Sequence, residues 1–318
     1  MKLSFYVLGV LIFSATSITS CNSGEVKKTG KYPDNQFPKD TAEVFAEGLL
    51  STEMNDRDIT ISPDFLEIFF TVAEGPHYTI ASVKKENGSW SNPEIAGFSG
   101  KYNDVEPMFS PDGNRLYFCS NRPLSDTGKV KDWDIWYVEK SSNGWGDPVN
   151  IGAPVNTERH EFYPSVARNG NMYFTSFDNR IMFAQWNGTT YDEPVPVSDS
   201  INSRRAEYNA FVAPDESYIL FTSHGWKQTG GRGDIFISKR KADKSWATPM
   251  CISAISEADV EMCPFVSPDG KYLFFSRNHR KIDFDISIIN YESIRKHNQQ
   301  SQNGKFDIYW ISSDVLNK

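Results

Sequence analysis

Short, mostly apolar runs of four to six residues recur along most of the chain, each bounded by Gly, Pro, Asn or Asp. Five are rich in aromatics: EIFFT from Glu67, RLYFCS from Arg115, NMYFTS from Asn171, YILFTS from Tyr218 and YLFFS from Tyr272. Apolar side chains at successive positions, rather than alternate ones, are the pattern of strands covered on both faces. With 17 Pro and 21 Gly spread over 318 residues, the pattern predicts an all-β chain of many short strands, not a few long helices.

The aromatic runs follow a repeated turn. Ser62-Pro63-Asp64, Ser110-Pro111-Asp112-Gly113, Ala167-Arg168-Asn169-Gly170, Ala213-Pro214-Asp215 and Ser267-Pro268-Asp269-Gly270 are in register, with central positions 48, 57, 46 and 54 residues apart. Pro presets φ and Gly supplies positive φ, so each is a tight turn from an inner strand into the aromatic second strand. An acid stands seven residues before each centre: Asp56, Asp104, Glu161, Glu207 and Glu261. Pro107, Pro164 and Pro264 stand four before. Third strands are expected at Asp134-Ile135-Trp136, Asp234-Ile235-Phe236 and Asp307-Ile308-Tyr309. Fourth strands are expected after Trp90/Pro93, Trp145/Pro148, Tyr191/Pro194 and Trp246/Pro249.

Four strands per 45–57 residues is the spacing of propeller blades. The pattern resembles the WD-like β-propeller repeat of the TolB family over about residues 42–312. It does not extend to the α/β domain or the sixth blade of that family, so it implies a repeat fold rather than a role in the Tol–Pal system. The last unit stops after its third strand, and Ala42–Leu50 supplies the missing fourth. The expectation is a single five-bladed β-propeller over 42–318, its N-terminal strand closing the C-terminal blade. Six blades is the alternative if 277–304 hides a degenerate unit; as read, that segment is an insertion between the second and third strands of the last blade.

The N-terminus adds an address. Met1-Lys2, an apolar run from Leu3 to Phe13 and a small-residue exit describe a secretory signal over 1–20. Ile18-Thr19-Ser20-Cys21 resembles the lipobox of bacterial lipoproteins, which implies cleavage before Cys21 and its lipidation. Residues 21–41, polar with Gly and Pro, read as a flexible tether. The protein is thus expected in the cell envelope at the outer membrane, held by a lipid anchor, with its periplasmic or surface face left open.

Composition narrows the function. With 41 acids against 33 bases and a net charge of −8, nucleic acid is not an expected partner. A hydrophobic content of 39% excludes a disordered chain. Four Cys are too few for a disulfide scaffold; with Cys21 acylated, Cys119, Cys251 and Cys263 are expected as thiols, a 251–263 pair being left open. His77, His160, His224, His279 and His297 lack the spacing of a helix-borne zinc site, and neither HExxH nor GxSxG occurs, so no metal, cofactor or serine nucleophile is assigned.

The resemblance implies ligand binding on the face where the inner strands begin. Candidate residues there are Asp104, Arg122, Arg159, His160, Glu161, Arg204, Arg205, Glu207, His224, Trp226, Glu261 and Arg277. An acid recurring in every repeat reads as structure, because catalytic residues break repeat symmetry. The arginines do break it; their planar forks suit carboxylates or sulfates, but pairing with the acid ring to give a neutralised rim is the preferred reading. The expected function is therefore non-catalytic binding or scaffolding of an envelope protein or glycan. The alternative is a glycoside hydrolase-like enzyme using two of the carboxylates; no catalytic residue is assigned.

Overall fold

The computed structural model describes residues 30–34, 37–125, 128–203, 205–225, 233–256, 259–281 and 290–317. Five antiparallel sheets stand in a ring, each beginning with an inner strand: Asn55–Ile61, Asp104–Phe109, Glu161–Val166, Glu207–Val212 and Glu261–Val266. These strands contact one another in ring order, blade 5 meeting blade 1, so five blades are present and not six. The Pro-Asp-Gly turns lie at one end of the inner strands, here the turn face; the acids lie at the other, the loop face.

Blade 5 is closed as expected. Glu43 pairs with Trp310 and Val44 with Tyr309, beside the strands Tyr272–Arg277 and Asp307–Ser312. This closing strand is only two residues long, because the chain turns at Ala46 and Gly48, both at positive φ. Its hold comes from Phe45, fully buried with ring centroids 4.9 Å from Phe274 and Trp310. The 277–304 segment is an insertion, carrying the helix Tyr291–Asn298 capped by Asn290. Residues 282–289 of that segment lie outside the described residues.

Every inner strand carries a bulge two residues after its acid. Asp58, Glu106, Tyr163, Asn209 and Cys263 all sit at φ between 50° and 59°, where the ladder register shifts. For a non-glycine residue this conformation costs about 1–2 kcal/mol. The bulge amides are met by the preceding blade: Asp58 N donates to Ser276 Oγ at 3.1 Å, Glu106 N to Thr71 Oγ1 at 3.0 Å and Asn209 N to Thr175 Oγ1 at 3.0 Å. In blade 2 the equivalent hydroxyl is replaced by Cys119, and Tyr163 N donates instead to Glu106 Oε2 at 2.7 Å. The hydroxyls of Thr71, Thr175 and Ser276 are thus inter-blade fasteners in blades 1, 3 and 5.

A second fastener stands five residues before the acid. Asn156 exchanges two hydrogen bonds with the backbone of Ile135, Asn202 does so with Ile181, and Ser51 does so with Ile308 across the closure.

The stretch 21–41, expected as a tether, is corrected in its described part. Tyr32 is 2% exposed, boxed by Phe37, Phe45, Phe65, Tyr272, Phe274 and Trp310. Its hydroxyl donates to Asp269 Oδ1 at 3.0 Å, and Lys31 pairs with Asp269 Oδ2 at 2.5 Å. A single aromatic in a polar segment finds an apolar slot at the blade 5–blade 1 seam, which composition does not show. The tether expectation narrows to 21–29; those residues and the signal 1–20 lie outside the described residues.

Two substitutions test the closure. Phe45→Ala should destabilise by about 3–5 kcal/mol, since it opens a cavity against two aromatic partners. Tyr32→Ala should cost about 3 kcal/mol by the same mechanism, whereas a residue in a free tether would leave the thermal midpoint unchanged. Chemical denaturation of the two variants reads both values.

Candidate functional site

The five loop-face acids are buried, with exposures from 0 to 2%, and none points freely into solvent. Three are gripped by a residue four positions earlier. Asp56 Oδ2 accepts from Thr52 N at 2.8 Å and Thr52 Oγ1 at 2.7 Å; Glu161 accepts from Thr157 Oγ1 at 2.6 Å and Glu207 from Ser203 Oγ at 2.6 Å. The other two are met by buried guanidinium groups. Arg122 donates to Asp104 Oδ1 at 2.6 Å and to the Phe98 carbonyl at 3.1 Å. Arg277 donates to Glu261 Oε1 at 2.9 Å and to the Ile255 carbonyl at 2.7 Å. Phe98 and Ile255 each stand six residues before their acid. Arg122 and Arg277 occupy different repeat positions yet do the same job, so their asymmetry in sequence is structural rather than ligand-directed.

The remaining candidates divide by blade. Arg159 is exposed with its guanidinium 5.5 Å from the Phe177 ring, and His160 Nδ1 accepts from Trp133 N at 3.0 Å. On blade 4 Arg205 Nε donates to the Gly225 carbonyl at 3.3 Å, and His224 shares a hydrogen bond with the Tyr208 hydroxyl. Burial lowers the His224 pKa, which keeps the imidazole neutral. Arg204, Trp226 and the lipidation position Cys21 lie outside the described residues. The structure thus gathers Arg159, His160 and Phe177 on blade 3 and places Arg205 and His224 on blade 4.

A loop-face cavity of about 260 Å³ opens beside blade 3, lined by Arg159, Glu161, Phe177, Asp178, Arg180 and Met182 among others. Larger cavities open on the turn face: one of about 470 Å³ at the end of the channel and one of about 520 Å³ between blades 2 and 3. The turn face therefore holds the larger concavities, while the charged candidates stay on the loop face.

Between the two faces the channel is plugged by the five bulge side chains, a cluster the sequence analysis did not single out. Tyr163 reaches from blade 3 to the Pro264 carbonyl of blade 5 at 2.9 Å. Arg57 donates to both oxygens of Asp58 at 2.9 and 2.8 Å and lies 3.6 Å from Glu106 Oε1, which also accepts from Asn209 Nδ2 at 3.0 Å. Burial, with the Asp58 charge beside it, raises the Glu106 pKa. The available signal was the identity of residues two after each acid: Asp, Glu, Tyr, Asn and Cys at one repeat position. Cys119, Cys251 and Cys263 are free thiols, the first and last buried and Cys251 half-buried. Among the described residues, no group of three or more His, Cys, Asp or Glu is arranged to hold a metal ion.

Acids also meet across the seams. Asp56 N donates to the Phe306 carbonyl, Glu161 N to that of Trp133 and Glu261 N to that of Gly233, which brings each acid beside the Asp opening the previous blade's third strand. One oxygen each of Asp56, Asp307, Asp234 and Glu261 has no hydrogen bond among the described residues. Burial raises Asp56 to about 6, Asp307 to about 7, Glu161 to about 7 and Glu261 to about 8; the neighbouring seam aspartate adds to the rise in the last three. Carboxyls with raised pKa stabilise the fold while protonated, and that contribution is lost as pH climbs from their unfolded values through their folded ones. The thermal midpoint should therefore fall between pH of about 5 and about 8. Asp307→Asn should flatten that fall by about 2–4 °C for each kcal/mol of penalty removed. A midpoint that rises over this range would show that these carboxyls are not held protonated.

No family model matches the chain, and no curated protein matches it. Among solved structures it is similar to TolB from Acinetobacter baumannii at 14% identity and a TM-score of 0.46, covering 82% of this chain and 57% of that one. The chain thus spans little more than half the length of that protein. It is similar to a putative TolB from Agrobacterium tumefaciens at 13% identity and a TM-score of 0.47, covering 81% and 90%. It is also similar to the catalytic domain of a GH62 α-L-arabinofuranosidase from Coprinopsis cinerea at 13% identity and a TM-score of 0.52, covering 83% and 95%. At such identities the likeness is one of fold alone, and the fold is a five-bladed β-propeller.

Proposed function

We propose that the protein is a cell-envelope lipoprotein, anchored at the outer membrane through acylated Cys21, whose propeller binds a protein or glycan without catalysis. One observation carries the non-catalytic part: each of the five repeat acids is buried and already engaged by a hydroxyl, a backbone amide or a guanidinium. A glycosidase needs one free carboxylate and one proton donor on either side of an accessible bond. The binding surface is the blade 3 cavity, where Arg159 and Arg180 flank Phe177, a ring 54% exposed. Two guanidinium groups around an exposed aromatic suit an acidic glycan or a peptide carboxylate.

The enzymatic alternative is favoured by one feature. Glu161 lines that same cavity with its pKa raised to about 7 by burial, a state suited to proton donation.

Arrays of anionic glycans and acidic peptides, probed with the full chain in detergent, separate the two readings. Binding should fall at least tenfold in Arg159→Ala and Phe177→Ala, about 1.4 kcal/mol, with the thermal midpoint unchanged. Hydrolysis of any glycoside in a panel that includes arabinofuranosides, abolished by Glu161→Gln, would overturn the binding reading. Cys21→Ser should move the protein from the membrane fraction to the soluble fraction; retention on the membrane would count against the anchor.

A further inference from the structure

We infer that the turn face is the membrane-facing surface of the propeller and meets anionic lipid headgroups, leaving the loop face directed away from the bilayer. The inference rests on the proposed lipid anchor, and two independent observations carry it.

The first is the place where the chain leaves the ring. Tyr32 is locked in its aromatic box, Lys31 is paired with Asp269 in the blade 5 turn, and Trp90 Nε1 donates to the Gly30 carbonyl at 3.3 Å. Asp269 belongs to a Pro-Asp-Gly turn, and Ser89–Trp90 follows Glu86, the end of the blade 1 strand whose residue Lys84 pairs with Glu67 beside the turn. Gly30 is therefore fixed at the turn face. Eight residues lie between it and Cys21, nine backbone steps that at full extension span about 30 Å. The loop face lies a further inner strand away, six residues or about 20 Å. A short leash from one face brings that face to the surface it is tied to.

The second observation is charge. In a chain of net charge −8, the blade 4 hairpin at the turn face reads Lys239-Arg240-Lys241-Ala242-Asp243-Lys244, four bases to one acid. Lys239 pairs in register with Tyr218 next to the Ala213-Pro214-Asp215 turn, which fixes the hairpin at this face. Lys239, Lys241 and Lys244 are exposed, and Arg240 lies 4.4 Å over the Trp246 ring. Lys84, exposed at the same end of blade 1, adds to the field. Clustered bases beside a lipid tether attract anionic headgroups. A phosphate-bearing soluble ligand would meet the same bases, so the test includes inorganic phosphate.

Energy transfer to headgroup-labelled lipid tests the orientation. The full chain, with Cys251→Ser to silence its half-buried thiol, carries a fluorophore at Asn187→Cys on the turn face or at Asp178→Cys on the loop face. Both are placed on phosphatidylcholine vesicles with and without phosphatidylglycerol. Transfer should be several-fold greater from position 187, and phosphatidylglycerol should widen the difference. Lys239→Glu, Lys241→Glu and Lys244→Glu together should remove that widening, and Tyr32→Ala should shrink the ratio toward unity. Equal transfer from the two positions, or greater transfer from 178, overturns the orientation. Suppression of the widening by millimolar inorganic phosphate at matched ionic strength would overturn the headgroup part. The same pair on a chain with a histidine tag in place of residues 1–21, held by nickel-chelating lipid, keeps the ranking readable without acylation. Ranking preserved there, with no vesicle binding by the untagged chain, would sink the lipoprotein reading and leave the orientation standing.

Discussion

Five sheets set radially leave an axis that has to be filled, and how it is filled governs the rest of the molecule. Each inner strand lifts one non-glycine residue into the left-handed region, and four of the five positions carry a polar side chain or a thiol where an aliphatic one would be simpler. Asp58 and Glu106 are acceptable at the axis only because Arg57 lies against both, and because Asn209 and the Tyr163 amide occupy the Glu106 oxygens. A buried charge without such partners would cost several kcal/mol. Since all five blades contribute to one hydrogen-bonded plug, the blades cannot order independently, and the two-residue closing strand becomes a condition for the whole ring.

The plug also separates the faces. With Tyr163 spanning from blade 3 to blade 5, the channel is not a through-passage, and any ligand belongs to one end or the other. On the loop face the acids serve the seams. Threonine, serine and arginine engage each of them from within the chain, and burial, with the seam aspartates adding to it, raises the pKa of Glu161 and Glu261. What stays outward is a sparser set, with Arg159, Phe177, Asp178 and Arg180 at its centre.

The same economy holds at the seam between blades 5 and 1, the one place where the two ends of the propeller chain must find each other. Phe45, Tyr32, Phe274 and Trp310 form a continuous aromatic contact there, and Ser51 fastens Ile308 as asparagines fasten Ile135 and Ile181 elsewhere. Closure thus uses the fasteners of the other seams together with a larger apolar contact, and it carries the N-terminal chain to a fixed point on the turn face.

The repeat was legible in the linear chain because its signals are local: a Pro-Asp-Gly turn needs only its own dihedral preferences, and a doubly covered strand needs only successive apolar residues. Blade number, the role of Ala42–Leu50 and the place of the 277–304 insertion followed from counting such units. Contacts between blades were not legible, because partners such as Arg122 and Asp104, or Tyr32 and Asp269, are separated by 18 and 237 residues and obey no periodic rule. That Arg122 and Arg277 pair with the acid ring was an available reading, but which acid each takes was not, since nothing local reveals a buried carboxylate; the bulge residues read as ordinary strand positions since a bulge is defined by its neighbour's register. Local conformational preference thus determined the kind of unit and its number, while the tertiary structure alone decided which polar groups are consumed inside the ring and which remain outside it.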